Sequence, residues 1–177
     1  MAQSPNVEMG APVDHVVLIG PMGVGKTTCG EQLADRLDRL LLDSDAWIED
    51  RYGRSGREIA AESGVDRLHA IELEVFADMA RTGEGAVIAA AESVVDSPVG
   101  RSLLDTHTTV WLTADADTLR RRRSQQDHRR PMSDTEMEER IAGRGPQLAA
   151  VARHSEETSD RTPTEIAASI EAALVDP

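Results

Sequence analysis

The chain has 177 residues, 29% of them charged, and a formal net charge of −13 at pH 7. That length fits one domain able to bury its own core, and that charge argues against nucleic acid as a main partner, because phosphate backbones are bound by net positive surfaces. The aromatic residues are Trp47, Tyr52, Phe76 and Trp111, too few for a single-strand stacking platform; with no run of eighteen apolar residues and no charged-apolar-small leader, the sequence predicts a soluble, cytoplasmic protein that engages no membrane.

Residues 1–14 mix Ser, Pro, Asn and Gly without an apolar period and are expected to form a flexible tail. A strand is predicted over 15–19, where His15-Val16-Val17-Leu18-Ile19 runs into Gly20-Pro21-Met22-Gly23-Val24-Gly25-Lys26-Thr27-Thr28. A β-branched strand ending in Gly-x-x-x-x-Gly-Lys-Thr and opening a helix is the context that a phosphate-binding loop requires. The glycines let backbone N–H groups converge on one point, and the helix aims the positive end of its dipole there. Gly23, Val24, Gly25, Lys26, Thr27 and Thr28 are therefore candidate nucleotide-binding residues, with Lys26 reaching the β- and γ-phosphates and the Thr27 hydroxyl holding Mg²⁺. The competing reading is a glycine turn with an incidental Lys-Thr. Lys26 is the only lysine in the chain, and a guanidinium does not replace a compact ammonium packed between phosphates; both points favour the phosphate loop.

The helix after the loop is predicted over 27–39, with Leu33 and Leu37 on its apolar face. Its Cys29 is the only cysteine, so it forms no internal disulfide and is expected to fill the core. Leu40-Leu41-Leu42 reads as a short buried strand ending in Asp43-Ser44-Asp45, and carboxylates at the carboxyl end of a parallel strand face the ligand crevice. Helix capping is the alternative role for both aspartates. Short helices follow over 45–51 and 56–62, then a longer one over 65–81 with Leu68, Ile71, Val75 and Met79 on one side. Ala86-Val87-Ile88-Ala89 lacks polar alternation and predicts a strand buried on both faces. A helix over 98–104 and a strand over 108–112 come next, and Asp115 caps the helix towards Arg123.

Arg120 to Arg123, with Arg129 and Arg130, form a basic island in an acidic chain. A solvated helix face is the plain reading of Arg120 and Arg121; downstream of a phosphate loop, an arginine segment also closes over nucleotide and screens transferring charge, which makes Arg123 and Arg130 candidate nucleotide contacts. Residues 134–153 are helical by pattern, 154–158 occupy the place of a fifth strand but are polar, and Pro163 starts a last helix with Ile166, Ile170 and Leu174 repeating every four residues. Strands alternating with helices predict a three-layer α/β/α domain around a parallel sheet.

In this order and spacing, the loop, Asp43-Ser44-Asp45, Arg130-Pro131 and Arg144-x-Pro146 make the chain resemble the shikimate kinase family, P-loop relatives of the nucleoside monophosphate kinases. The resemblance implies a five-stranded parallel sheet in the order 2-3-1-4-5 and a single P-loop kinase domain over 15–177, with an acceptor-binding region at about 45–81 and a lid at about 123–134. It further implies transfer of the γ-phosphoryl group of ATP to a ring hydroxyl of shikimate with Mg²⁺, by a monomer or weak homo-oligomer. Lys26, Asp45 and Arg130 are then the expected catalytic residues, with Asp45 orienting or deprotonating the acceptor hydroxyl. Thr27 and Asp43 hold the metal, and Arg161-Thr162-Pro163 forms the adenine-side loop, with Arg161 and Pro163 against the base.

The acceptor half departs from the family pattern. Where the family has Phe-Arg-x-x-Glu this chain reads Leu68-His69-Ala70-Ile71-Glu72, and the family's triple-glycine loop reads Ala91-Glu92-Ser93. Histidine is only a conditional cation at neutral pH, and Glu92 adds negative charge where an acidic acceptor would lie. His69, Glu92, Ser93, Arg144 and Asp45 are the candidate acceptor contacts. They lead us to expect a kinase with altered acceptor specificity, for a cyclitol, an aminocyclitol or a sugar derivative; a genuine shikimate kinase and an inactive nucleotide-binding regulatory relative are the alternatives.

Overall fold

A computed structural model describes residues 14–124 and 134–175, leaving out the side chains of 123, 134, 136–138, 140 and 141. Its centre is a five-stranded, wholly parallel sheet in the order β2-β3-β1-β4-β5. The strands are β1 (Val16–Ile19), β2 (Leu41–Asp43), β3 (Val87–Ala89), β4 (Thr108–Thr113) and β5 (His154–Glu157). Val17 pairs with Ile88 on one side and Thr109 on the other. A parallel sheet covered on both faces needs apolar side chains pointing both ways, which is why the inner strands read as unbroken apolar runs.

The two faces bury different helices. Val17, Ile19 and Ile88 pack with Ile71, Val75, Phe76 and Met79 of α4 (Val65–Met79), with Leu104 of α5 (Pro98–Asp105), and with Leu148 and Val151 of α7 (Asp134–Val151). Val16, Leu18, Val87, Val110 and Leu112 pack with Cys29 and Leu33 of α1 (Lys26–Leu37), Leu119 of α6 (Ala116–Ser124), and Ile166 and Ile170 of α8 (Pro163–Val175). The three layers follow directly. Smaller helices α2 (Ser44–Tyr52) and α3 (Gly56–Ser63) extend from the carboxyl end of β2.

Two details differ from the sequence expectation. Strand β2 begins one residue later than 40–42: pairing starts at Leu41↔Val87, and Leu40 is 66% exposed. A 3-10 helix over Glu92–Asp96 follows β3, where the sequence offered only a loop. The polar segment at 154–157 forms the fifth strand that the five-stranded order implied. It lies at the sheet edge, where one side needs no apolar partner, and its polar side chains are used: Ser169 Oγ donates to Glu156 Oε1 (2.9 Å), and Thr113 Oγ1 donates to Glu157 Oε2 (3.0 Å).

Among the described residues no helix is long and apolar enough to cross a membrane.

Candidate active site

The turn between β1 and α1 is built around two glycines. At Gly20 (φ 153°) an added Cβ would lie 2.3 Å from the Leu112 carbonyl oxygen, so the backbone passes β4 too closely for any side chain. Gly25 sits at the helix start with φ 102°, a conformation that side-chain-bearing residues rarely adopt. No side chain caps α1 and no acid lies in its first turn, so the amides at its start keep donors for a ligand. Lys26 Nζ donates to the carbonyls of Gly20 (2.8 Å) and Pro21 (3.3 Å), which lays the ammonium across the loop.

Thr27 Oγ1 donates to Asp43 Oδ2 at 2.7 Å. The other oxygen of Asp43 accepts from the backbone N–H groups of Asp45 (2.9 Å) and Ala46 (3.2 Å). Asp43 therefore caps α2 and faces the phosphate loop at once, because the parallel strands β2 and β1, separated by β3, end at the same carboxyl edge of the sheet; the two roles weighed from sequence are compatible. A hydroxyl and a carboxylate brought together this way offer the hard oxygen ligands that Mg²⁺ prefers. Asp45 is exposed in the first turn of α2.

These residues line an open cleft of about 1900 Å³. Single-ligand pockets run to about 1000 Å³, so there is room for a nucleotide and a second molecule. Gly23, Val24, Gly25, Lys26, Thr27, Thr28, Arg161 and Pro163 line it together with Asp43, Asp45, His69, Glu92, Ser93 and Arg144. Arg161 is held by Glu156 (2.5 Å) and by the Glu165 carbonyl (3.0 Å). Arg130 and Pro131 lie outside the described residues, as does the side chain of Arg123, whose backbone belongs to α6.

On the acceptor side, Val65, Leu68, His69 and Glu72 of α4 form one helical stripe along the cleft. Ser93 Oγ donates to Glu72 Oε2. Burial pushes the Glu72 carboxyl up to about 7; the Ser93 hydrogen bond opposes this, the Asp45 charge adds to it, and Arg144 and Lys26 counter it. Arg144 is 9% exposed and its guanidinium is engaged by acids: Nε and one terminal nitrogen donate to Asp96 Oδ1 (2.9 Å) and Oδ2 (2.5 Å), and the other donates to Glu92 Oε2 (3.0 Å). Glu92, expected to place its charge towards an acceptor, thus spends one oxygen on Arg144.

Three residues of this site had no role in the sequence reading. Glu72 belongs to the stripe at i+3 and i+4 from His69 and Leu68, a spacing that could have found it. Arg122 donates to the Val24 carbonyl (3.1 Å) and to the Thr158 hydroxyl (3.0 Å) and carbonyl (2.7 Å), tying the loop to the end of β5. Its signal was helical phase, since Thr118 and Leu119 are the buried residues one turn earlier. Asp96 had no signal, because the 3-10 helix that turns it to Arg144 left no periodic pattern.

The shikimate kinase family model matches residues 22–175. A shikimate kinase of Acinetobacter baylyi is 34% identical over 161 residues, 88% of this chain and 89% of that protein. One of Mycobacterium ulcerans is 43% identical over a shorter stretch of 100 residues, 56% of this chain and 54% of that protein. The solved structure of a shikimate kinase from Acinetobacter baumannii in complex with shikimate aligns with a TM-score of 0.85 over 92% of this chain and 93% of that one; at 24% identity this shows the shared fold. The family uses ATP as phosphoryl donor. By the extent of the family match and of the Acinetobacter baylyi alignment, the chain belongs to the shikimate kinase family, phosphotransferases with an alcohol group as acceptor.

Proposed function

We propose that the chain transfers the γ-phosphoryl group of ATP to a hydroxyl of a small polyhydroxylated molecule that carries no carboxylate: a cyclitol, an aminocyclitol or a sugar derivative. The observation that carries this reading is the acceptor side of the cleft, which Asp45, Glu72 and Glu92 line together with His69, the residue that stands where the resemblance implies an arginine. An anionic acceptor entering there meets like charge; hydroxyls meet hydrogen-bond partners.

In this reading the amides at 23–28 cradle the phosphates, and Lys26 turns from the loop carbonyls to the transferring group. Asp45 accepts a hydrogen bond from the acceptor hydroxyl and holds its oxygen in line with the phosphorus, while His69 and Ser93 contact other acceptor hydroxyls. Arg161 and Pro163 flank the base, Arg122 braces the loop, and Arg130 contacts the phosphates. Thr27 and Asp43 suit Mg²⁺, which when bound offsets the charge of the phosphates. The unit acts as one domain, as a monomer or weak homo-oligomer in the cytoplasm.

Shikimate itself is the second reading. The names of the relatives favour it, and so does Arg57, an exposed arginine of α3 at the cleft. The two readings separate in a screen of acceptor-dependent ADP release with shikimate, quinate, cyclitols, aminocyclitols and sugar derivatives. We expect a carboxylate-free polyol to give the highest kcat/KM. Shikimate turnover on the order of 1–100 per second, with no better acceptor, contradicts the preferred reading. ADP release with none of them leaves a nucleotide-binding relative without transferase activity.

A further inference from the structure

An arginine fork facing a substrate cleft is a ready receptor for a carboxylate, because its planar donors match two carboxylate oxygens. In this protein the Arg144 fork already serves two internal acids, which take three of its five N–H groups. Asp96 takes it in the two-oxygen, two-nitrogen arrangement (2.9 and 2.5 Å), and Glu92 takes the remaining terminal nitrogen (3.0 Å). Burial alone would lower the Arg144 pKa; hydrogen bonding and charge from Asp96 and Glu92 reverse this and leave it raised. Two acids on one guanidinium leave the group with a net negative charge.

The positions of the two acids differ. Glu92 lines the cleft, and its side chain is 11% exposed. Asp96 ends the 3-10 helix, is not part of the cleft wall, and keeps 42% of its side chain exposed. Asp96 therefore engages Arg144 from outside the cleft lining and holds donors that an acceptor carboxylate would otherwise use.

We propose that Asp96 is a positioning residue for acceptor specificity: with Glu92 it occupies the Arg144 fork as an internal carboxylate, so that the cleft refuses carboxylate-bearing acceptors and takes neutral or amine-bearing polyols. The inference rests on the functional reading above and deepens it. It turns a missing recognition element into a present but sequestered one, which one substitution releases.

The test is a specificity ratio. Binding of shikimate, and of the analogue with its carboxylate reduced to an alcohol, is measured by calorimetry in the presence of MgADP for the wild type, Asp96→Asn, Glu92→Gln and Asp96→Glu. Asp96→Asn keeps the size of the side chain and removes its charge. It is expected to shift the affinity ratio at least about tenfold towards shikimate, the effect of one charge-assisted hydrogen bond. Asp96→Glu should restore the wild-type ratio. A purely structural role would weaken both ligands alike. If Asp96→Asn fails to fold, Glu92→Gln decides by the same shift in the same direction. An unchanged ratio, or no binding of either ligand by the folded variant, overturns the inference. A wild type that already favours shikimate contradicts the functional reading instead, and the response of the ratio to Asp96→Asn still decides the inference by itself.

Discussion

Glu72 is a carboxyl whose burial is only partly offset. Ser93 gives it one hydrogen bond, but burial dominates and holds its pKa near 7. A folded-state pKa above the ordinary value of about 4.3 means that the folded protein binds this proton more tightly than the unfolded chain. Its contribution to stability is complete below about pH 4.3 and is lost as pH rises through about 7. Compared with Glu72→Gln, the wild type should lose roughly 3 kcal/mol between pH 4.5 and pH 8, the equivalent of the shift. Urea denaturation of both proteins across that range measures the difference, and parallel pH profiles would contradict it. Sequence reading assigned Glu72 no role, although its i+3 and i+4 spacing from His69 and Leu68 marks its place on the α4 stripe. It did not show the carboxyl's isolation, which depends on Ser93, Asp45 and Arg144 arriving from three other segments.

At the scale of elements, the loop between β1 and α1 is held by its fit to β4. Gly20→Ala would drive a methyl group into the Leu112 carbonyl oxygen, 2.3 Å from the new Cβ, at a positive φ. Overpacking of this kind costs about 1–3 kcal/mol, and here it should also displace the loop. We expect lower urea stability by that amount together with weaker MgATP binding; a loss below about 0.5 kcal/mol with unchanged binding contradicts the account. Most elements were legible because their apolar periods were strong: α4, α8, β1 and β3 read directly. Strand β5 is set by its neighbour instead, as Arg153 and Thr158 donate backbone hydrogen bonds to Thr109 and Thr113 of β4. No property of its own side chains announces a strand. The 3-10 helix that carries Glu92 and Asp96 was illegible for a similar reason.

For the whole molecule, the sheet order brings the carboxyl ends of β1, β2 and β3 to one edge of the cleft. The phosphate loop, Asp43 with Asp45, and the segment holding Glu92 and Ser93 therefore converge although they are far apart in sequence. Motifs at strand ends made the nucleotide half readable from sequence. The acceptor half required the structure, because its character lies in pairings such as Arg144 with Asp96. The central claim is that the start of α1, Lys26 and the Thr27–Asp43 pair together grip a polyphosphate for transfer. Calorimetric titration of ATP into the wild type and Lys26→Ala, with and without Mg²⁺, tests it most directly. We expect magnesium-dependent binding by the wild type and a loss of at least about 1.5 kcal/mol of it in Lys26→Ala, the scale of a hydrogen bond to a charged group. Equal affinity in the two folded proteins, or no magnesium-dependent binding by the wild type, would contradict the account.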